Sequence, residues 1–597
     1  MQERKCQPRI LILLFVCLYP GYSFTAEPPP PQPHPEFYAP VEMVTVGQWL
    51  YIANQDAGSV SVLKTGENRM FSETGIGQRI SSIACVGSQT RLLFTDEAKH
   101  ELVISSLVQG HVSDLKRIKV PYSPVGVKST SDGTLAVVAS LWARQVTLVD
   151  INETTKQDLE ISKTINIPFN PKEVWISDDD RFAIVSDAFA GHIATINLTE
   201  RRLAGTFNVN VQNIRGLTTS IDGEYLTFSH QLLSPNSATV RNNVFWGNTL
   251  ENLIRSVPLD VLFAPQPDPQ SITKVTHWLQ YPVGSPGNAA GDPGDILFTS
   301  DGELFICFGG TSQIAHGKDM HNLLKRINVG SRPIALAVDQ TEQFIYIASH
   351  FDDSIEIFDR KLNRVVKKLP LGDGQPTHSL ADNGKRLFYN SRLSLDGWYS
   401  CNSCHVDGHT VGGLNENLSD ANKFSPKRIL SLLGTGETGP WAWLGNRIDL
   451  DGQVLKSIHV TMQGGNSGLA KGNPAPSISA FLRTLQPPPG VRTARGELIE
   501  EQIERGSQLF ETLKCSKCHA PPTYTTVNTY DVGIRDEHGL KDFNPPSLRG
   551  VSQRYGLFHD NRAADVRAVL EDHAHPDDTI NLSEKDLESL IHFLESI

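Results

Sequence analysis

The chain has 597 residues, more than a single hydrophobic core serves, so two or more domains are expected. With 39% hydrophobic and 20% charged residues it has the make-up of a soluble globular protein and not of a disordered one. A formal net charge of −12 argues against nucleic acid or an anionic membrane surface as partner, and eight cysteines over this length are too few for a disulfide scaffold.

In chain order, residues 1–23 read as a secretory signal: Arg4, Lys5 and Arg9 precede an apolar run over 10–19, with Gly21 and Ser23 as small residues for cleavage. The run is too short to span a bilayer, an uncleaved anchor being the alternative, and no other stretch approaches eighteen apolar residues. A periplasmic protein without membrane insertion is therefore expected. Residues 24–40, with EPPPPQPHP at 27–35, form a stiff Pro-rich spacer.

Residues 41–395 repeat with a period of about 40–45, the units starting near Val41, Ile80, Pro124, Pro171, Asn213, Gly294, Pro333 and Pro376. Asp-Gly pairs at 132–133, 222–223 and 301–302 suit hairpin turns, and alternation as in SIEIFD (354–359) suits half-buried strands. Four short strands per unit make an all-β propeller of seven blades, with eight as the alternative count. The unit from Pro376 stops after two strands, so it either completes a blade begun at the N-terminus or ends a truncated one. The phrase around each Asp-Gly resembles YVTN-type propellers. The Asn-, Pro- and Ser-rich insertion at 231–290 reads as a long loop on one propeller face, reaching the next domain. Cys85 and Cys307 fall in strands and read as small buried apolar residues.

Beyond 395 the pattern turns helical. Residues 497–513 place Leu498, Ile499, Ile503, Leu509, Phe510 and Leu513 on one stripe, and a last helix starts at Ser583 with Asp586 in capping-box position. QPPPG at 486–490 divides a first sub-domain, 396–486, from a second, 487–597.

Two segments carry the chemistry: Cys401-Asn-Ser-Cys404-His405 and Cys515-Ser-Lys-Cys518-His519. In CxxCH, two thiols can each form a thioether to one porphyrin, and the adjacent histidine becomes an axial iron ligand. Composition alone would give such a pattern about 0.003 times per chain. A four-cysteine zinc site leaves both histidines unexplained, and a redox dithiol expects a βαβ context that is absent. Two covalently bound haem c groups are expected.

Residues 386–413 (RLFYNSRLSLDGWYSCNSCHVDGHTVGG), 440–458 (PWAWLGNRIDLDGQVLKSI) and 545–562 (PPSLRGVSQRYGLFHDNR) resemble three hallmarks of the bacterial di-haem cytochrome c peroxidase and MauG superfamily. The resemblance covers about 200 residues and implies a mostly α region of two cytochrome c sub-domains. It makes His405 the ligand of the first, peroxidatic haem and His519 that of the second, electron-transfer haem. Counting fourteen residues from His559, it places the second haem's other ligand at His573, with His575 as rival. It gives Trp443 as an inter-haem relay and Arg549 as a propionate partner. Gln453 stands at one distal position, but the distal acid falls on Gln463, which cannot relay a proton, leaving Glu437 as substitute. No distal histidine stands near Ala421, so the first haem is expected open unless His409 or His459 reaches it. The resemblance also raises a Ca2+ between the haems, although 423–430 lacks the usual asparagine. The function implied is a periplasmic oxidoreductase using hydrogen peroxide at the first haem, with electrons from a partner protein passing through the second. The alternative is a non-enzymatic electron-transfer cytochrome whose propeller docks a periplasmic donor or acceptor.

Overall fold

The computed structural model describes residues 37–597 except 88, 153–157, 265–278, 319, 321–323, 373–375, 419–423, 574 and 576–581. The expected signal, most of the spacer and Ala421 lie outside the described residues. Seven four-stranded antiparallel sheets are described, each from one continuous stretch: blades 1 to 7 cover 40–75, 80–119, 124–166, 171–208, 212–282, 293–328 and 333–370. The first strand of each blade touches the first strand of the next, and that of blade 7 touches that of blade 1, closing a ring. Alternation buries each middle strand on both faces, as in Leu135–Ser140 and Phe344–Ser349, while outer strands such as Arg69–Gly75 bury alternate residues only. Cys307 is fully buried in blade 6 and Cys85 half-buried in blade 2, both as free thiols.

Around the channel, a carboxylate on the inner strand of one blade accepts a backbone N–H of the next: Glu42 from Ile83 (3.0 Å), Glu173 from Gly216 (3.3 Å), Asp295 from Leu336 (2.8 Å). The ring closes without a shared strand. Asp353 of blade 7 accepts the amides of Tyr38 (3.1 Å) and Ala39 (2.6 Å) ahead of blade 1, and Thr45 donates to the Val338 carbonyl (2.9 Å).

Two expectations are corrected. The segment from Pro376 is no part of a blade: Ser379 caps a helix, Leu380–Phe388, and Asp382 returns a bond to the Ser379 amide. That helix packs on Ala475–Thr484, so the helical region starts here instead of at 396. The insertion at 231–290 is no simple loop. Leu250–Pro258 pairs along its length with Tyr225–Leu233 as the third strand of blade 5, and a short helix, Arg241–Phe245, joins them. It does reach the helical region, where Trp398 donates to the Phe245 carbonyl (3.1 Å).

The helical region contains the same crossing twice. Gly384 of Leu380–Phe388 lies so close to Ser477 that an added Cβ would come 1.9 Å from its carbonyl oxygen, and Phe388 meets Phe481 at 5.3 Å. Gly506 of Glu500–Thr512 meets the Ser589 carbonyl in the same way (2.1 Å), and Phe510 meets Phe593 at 5.4 Å. Only glycine lets helix backbones approach so closely. Ser583 caps Glu584–Leu594 as expected. Leu498 and Ile499, expected on the apolar stripe, lie ahead of Glu500–Thr512 and are exposed.

Candidate haem sites

The first CxxCH follows the first crossing. Cys401–Cys404 is one helical turn, and the carbonyl of Leu430 engages Nδ1 of His405 at 2.9 Å. An Nδ1–H donor leaves Nε2 as a lone pair, and burial pushes the imidazole down to about 4, so it stays neutral and ready to ligate. A cavity of about 240 Å³ opens between His405, both cysteines, Trp443, Gln453, Met462, Arg428 and Arg554. Its walls are otherwise largely apolar, from Phe388, Leu432, Leu444, Leu450 and Val454.

Two guanidiniums decide what fits. Arg428 is buried with Nε and Nη2 unpartnered, and burial together with the neighbouring Arg554 pushes it down to about 9. Burial pushes Arg554 to about 10; it reaches only the carbonyls of Ser547 (2.6 Å) and Arg549 (2.8 Å), with Nε unpartnered. Among the described residues lining the cavity none is Asp or Glu. Buried cations without a carboxylate among those residues call for an anionic ligand. A flat apolar group bearing two carboxylates, held by two thiols and an imidazole, meets every demand of the cavity, and haem is such a group.

Trp443 is buried, donates to the Arg428 carbonyl (2.8 Å) and stands edge-on to His559 at 6.3 Å. His559 stacks on Phe543 at 4.5 Å, and both its nitrogens are buried without partners. Gln453 holds Ser457 weakly (3.4 Å), leaving Oε1 buried and unpartnered at the cavity. Other expectations fail. Glu437 sits on the surface, paired with Arg549 at 3.2 Å, and neither lines the cavity. Gln463 turns away to the carbonyls of Thr239 (2.9 Å) and Val460 (2.7 Å). His409 is committed through both nitrogens, to Ser431 and the Gln553 carbonyl, each at 3.0 Å, and His459 is exposed. At the place considered for Ca2+, Lys427 is buried with its ammonium 3.1 Å from Asp536, and no cluster of acidic, His or Cys side chains able to hold a metal occurs among the described residues.

The second CxxCH follows the second crossing. Cys515–Lys517 is a short 3-10 turn after Glu500–Thr512, with Cys515 packed on the core of Phe510, Val551 and Leu590. Nδ1 of His519 faces the Tyr524 carbonyl at 3.2 Å, and burial pushes its imidazole down to about 4. His573 spends Nε2 on the Arg562 carbonyl (3.1 Å). Its rival His575 is near enough for its charge to lower His519 further, and both rings stand edge-on to Phe558.

Residues 379–490 match the family model of the di-haem cytochrome c peroxidase. The helical region is thus similar to the di-haem cytochrome c peroxidases and MauG proteins over that segment. Its relatives include a cytochrome c551 peroxidase of Nitrosomonas europaea, 24% identical over 242 residues, covering 32% of this chain and 72% of the relative. A methylamine utilization protein MauG of Methylorubrum extorquens is 23% identical over 273 residues, covering 36% and 76%. Among solved structures, hydrazine synthase of Kuenenia stuttgartiensis covers 57% of this chain and 99% of its own at 16% identity, with a TM-score of 0.45. These similarities support a peroxidase-like di-haem oxidoreductase with haem as its cofactor. No helix among the described residues is long and apolar enough to cross a membrane.

Arg428, Arg554 and Met462 were not singled out from sequence. A buried arginine betrays itself only by the partner it lacks, which no sequence pattern records. The second crossing did leave a signal: G-x-x-L-F at 384–388 and 506–510, each answered by S-x-x-x-F-L at 477–482 and 589–594.

Proposed function

We propose that the chain is a periplasmic di-haem c-type oxidoreductase that uses hydrogen peroxide at the Cys401–His405 cavity, with the Cys515–His519 unit as its electron-transfer end. One observation carries this reading: a neutral imidazole and two thiols face the same buried cavity as two uncompensated guanidiniums. His405 would ligate the haem iron, Cys401 and Cys404 would form the thioethers, and Arg428 with Arg554 would hold the propionates. Bound there, haem supplies the one-electron chemistry that peroxide cleavage requires. The unpartnered Oε1 of Gln453 is the acceptor that orients a peroxide O–H, and Trp443 bridges the cavity to the His559–Phe543 stack on the side of the second unit. The partner is a small periplasmic redox protein.

A second reading, electron transfer alone, is favoured by two features of that cavity. No carboxylate that could move a proton lines it among the described residues, and the buried Met462 thioether lines it as a candidate sixth ligand. Adding hydrogen peroxide to the half-reduced protein separates the two. Rapid reoxidation with a changed first-haem spectrum supports the oxidoreductase. An unchanged low-spin spectrum, with the sulfur-to-iron band of a His/Met haem, sinks it.

A further inference from the structure

The Cys401–His409 loop does not rest on the helical region alone. Asp292, buried where blade 6 begins, accepts the hydroxyls of both Ser400 and Ser403, the residues flanking and filling the Cys401–Cys404 turn. Gln231 of blade 5 donates to the Ser403 hydroxyl oxygen (3.2 Å) and to Asp292 (3.4 Å). Gln212, also of blade 5, donates to the Ser403 carbonyl at 2.6 Å. Two residues beyond His405, Asp407 enters the channel mouth, with Lys172 of blade 4 at 2.9 Å, Arg215 of blade 5 at 3.8 Å and Arg332 before blade 7 at 3.9 Å. Backbones close in as well: a Cβ on Gly291 would lie 2.5 Å from that of Ser391, so only glycine permits this approach.

The two acids differ in their company. Asp407 meets three cations, whereas the three side chains bonded to Asp292 are neutral dipoles. Burial raises the Asp292 carboxyl, while the bonds from Ser400, Ser403 and Gln231 and the charge of Arg332 work against that rise; a buried carboxylate held charged in this way acts on its neighbours with little screening. The neighbours here are the thioether donors themselves: Ser400 and Ser403, both bonded to Asp292, immediately precede Cys401 and Cys404.

We propose that Asp292 of the propeller is a positioning residue of the first haem: it locks the Cys401–Cys404 turn through Ser400 and Ser403, and its buried charge holds that haem's reduction potential down. The propeller is thereby a wall of the redox centre as well as a platform. A negative charge beside a haem favours the ferric state, and hydrogen bonding around the attachment residues tunes potential as directly as ligand identity does. The inference rests on haem being attached at Cys401–His405, which intact mass and the haem count of the wild type test separately.

The experiment is a redox titration of the full-length holoprotein, followed by optical and EPR signals that distinguish the two haems. Asp292→Asn keeps the shape and removes the charge; the first haem's potential is expected to rise while the second's stays put. Ser403→Ala removes one dipole that compensates the charge and is expected to move the same potential down. Opposite shifts confined to one haem are the signature of charge, because simple loosening of the turn would move both variants the same way. Loss of the first haem alone from Asp292→Asn, with the downward shift kept in Ser403→Ala, also supports the proposal. An Asp292→Asn protein with both haems and an unmoved first potential overturns it, as do equal shifts at both haems. A wild type without covalent haem at Cys401 would instead remove the reading beneath it.

Discussion

Gly384 and Phe388 cross Ser477 and Phe481 in the first haem unit as Gly506 and Phe510 cross Ser589 and Phe593 in the second, yet the two CxxCH turns that follow live in different surroundings. The second is held by its own helices, with Cys515 on the core of Phe510 and Leu590. The first is clasped by four consecutive blades, and its cavity holds two arginines with no carboxylate among the described lining residues. One scaffold thus becomes two different sites by what is packed against it, the outer partners setting how a metal group behaves.

The contrast predicts unequal responses. The largest is expected for His405→Gly, which should abolish reaction with peroxide, by more than the roughly 100-fold that loss of an outer partner costs. The second haem's reduced spectrum should survive, and stopped-flow spectra check both. Next, Arg428→Met should destabilise the haem-loaded protein by about 3 kcal/mol in thermal unfolding, because it strands a propionate in a buried site. Arg549→Met, which loses the pair with the exposed Glu437 and one bond to the Gly434 carbonyl (3.2 Å), should cost less, about 1 kcal/mol. Equal costs would break the assignment of Arg428 to the cofactor.

Asp407→Asn should cost about 1 kcal/mol, discounted for the solvent that reaches its partly exposed side chain. Burial would raise the Asp407 carboxyl, but Lys172, Arg215 and Arg332 together hold it well below the usual carboxylate range. Its folded pKa is thus depressed, so its contribution is present above the unfolded value near 3.8 and is lost only as pH falls through the lower folded value. Unfolding midpoints of the pair should therefore differ at pH 7 and converge only in strong acid. The smallest effect on stability belongs to His575→Ala, which should change the second haem's low-spin spectrum with little loss of folding, whereas His573→Ala leaves that spectrum alone. The reverse result would favour His573, the ligand that the family resemblance implies.

Much of the propeller was legible because its strands are local. Seven repeat starts fall within a residue or two of the first strand of a blade, from Pro40 to Pro333. The eighth failed for an identifiable reason. ADNGKRLFYN imitates the Asp-Gly turn of the repeats, but the Ser379–Asp382 cap and the seat on Ala475–Thr484 make it a helix. In the site, CxxCH was legible since thiol and imidazole chemistry fixes its spacing. Gln453 and Gln463 were read by counting from Trp443, with Glu437 as an upstream substitute for the missing acid. A left-handed backbone at Gln463 and a bond to Thr239 carry that side chain out of the cavity, which counting cannot foresee. Asp292 was invisible because Ser400 and Ser403, the hydroxyls it accepts, lie more than a hundred residues away.

The seam between blades 7 and 1 has a consequence for how the chain could be rearranged. Every blade is a self-contained stretch, and the ring is sealed there by Asp353 on two amides and by Thr45 on one carbonyl, not by a strand shared between the chain's two ends. The propeller is consequently open to circular permutation: new termini placed between any two neighbouring blades would cut no sheet. Blade 1 carries none of the residues that clasp the Cys401–His409 loop, so the natural opening point falls on the arc of the ring that the redox centre does not need.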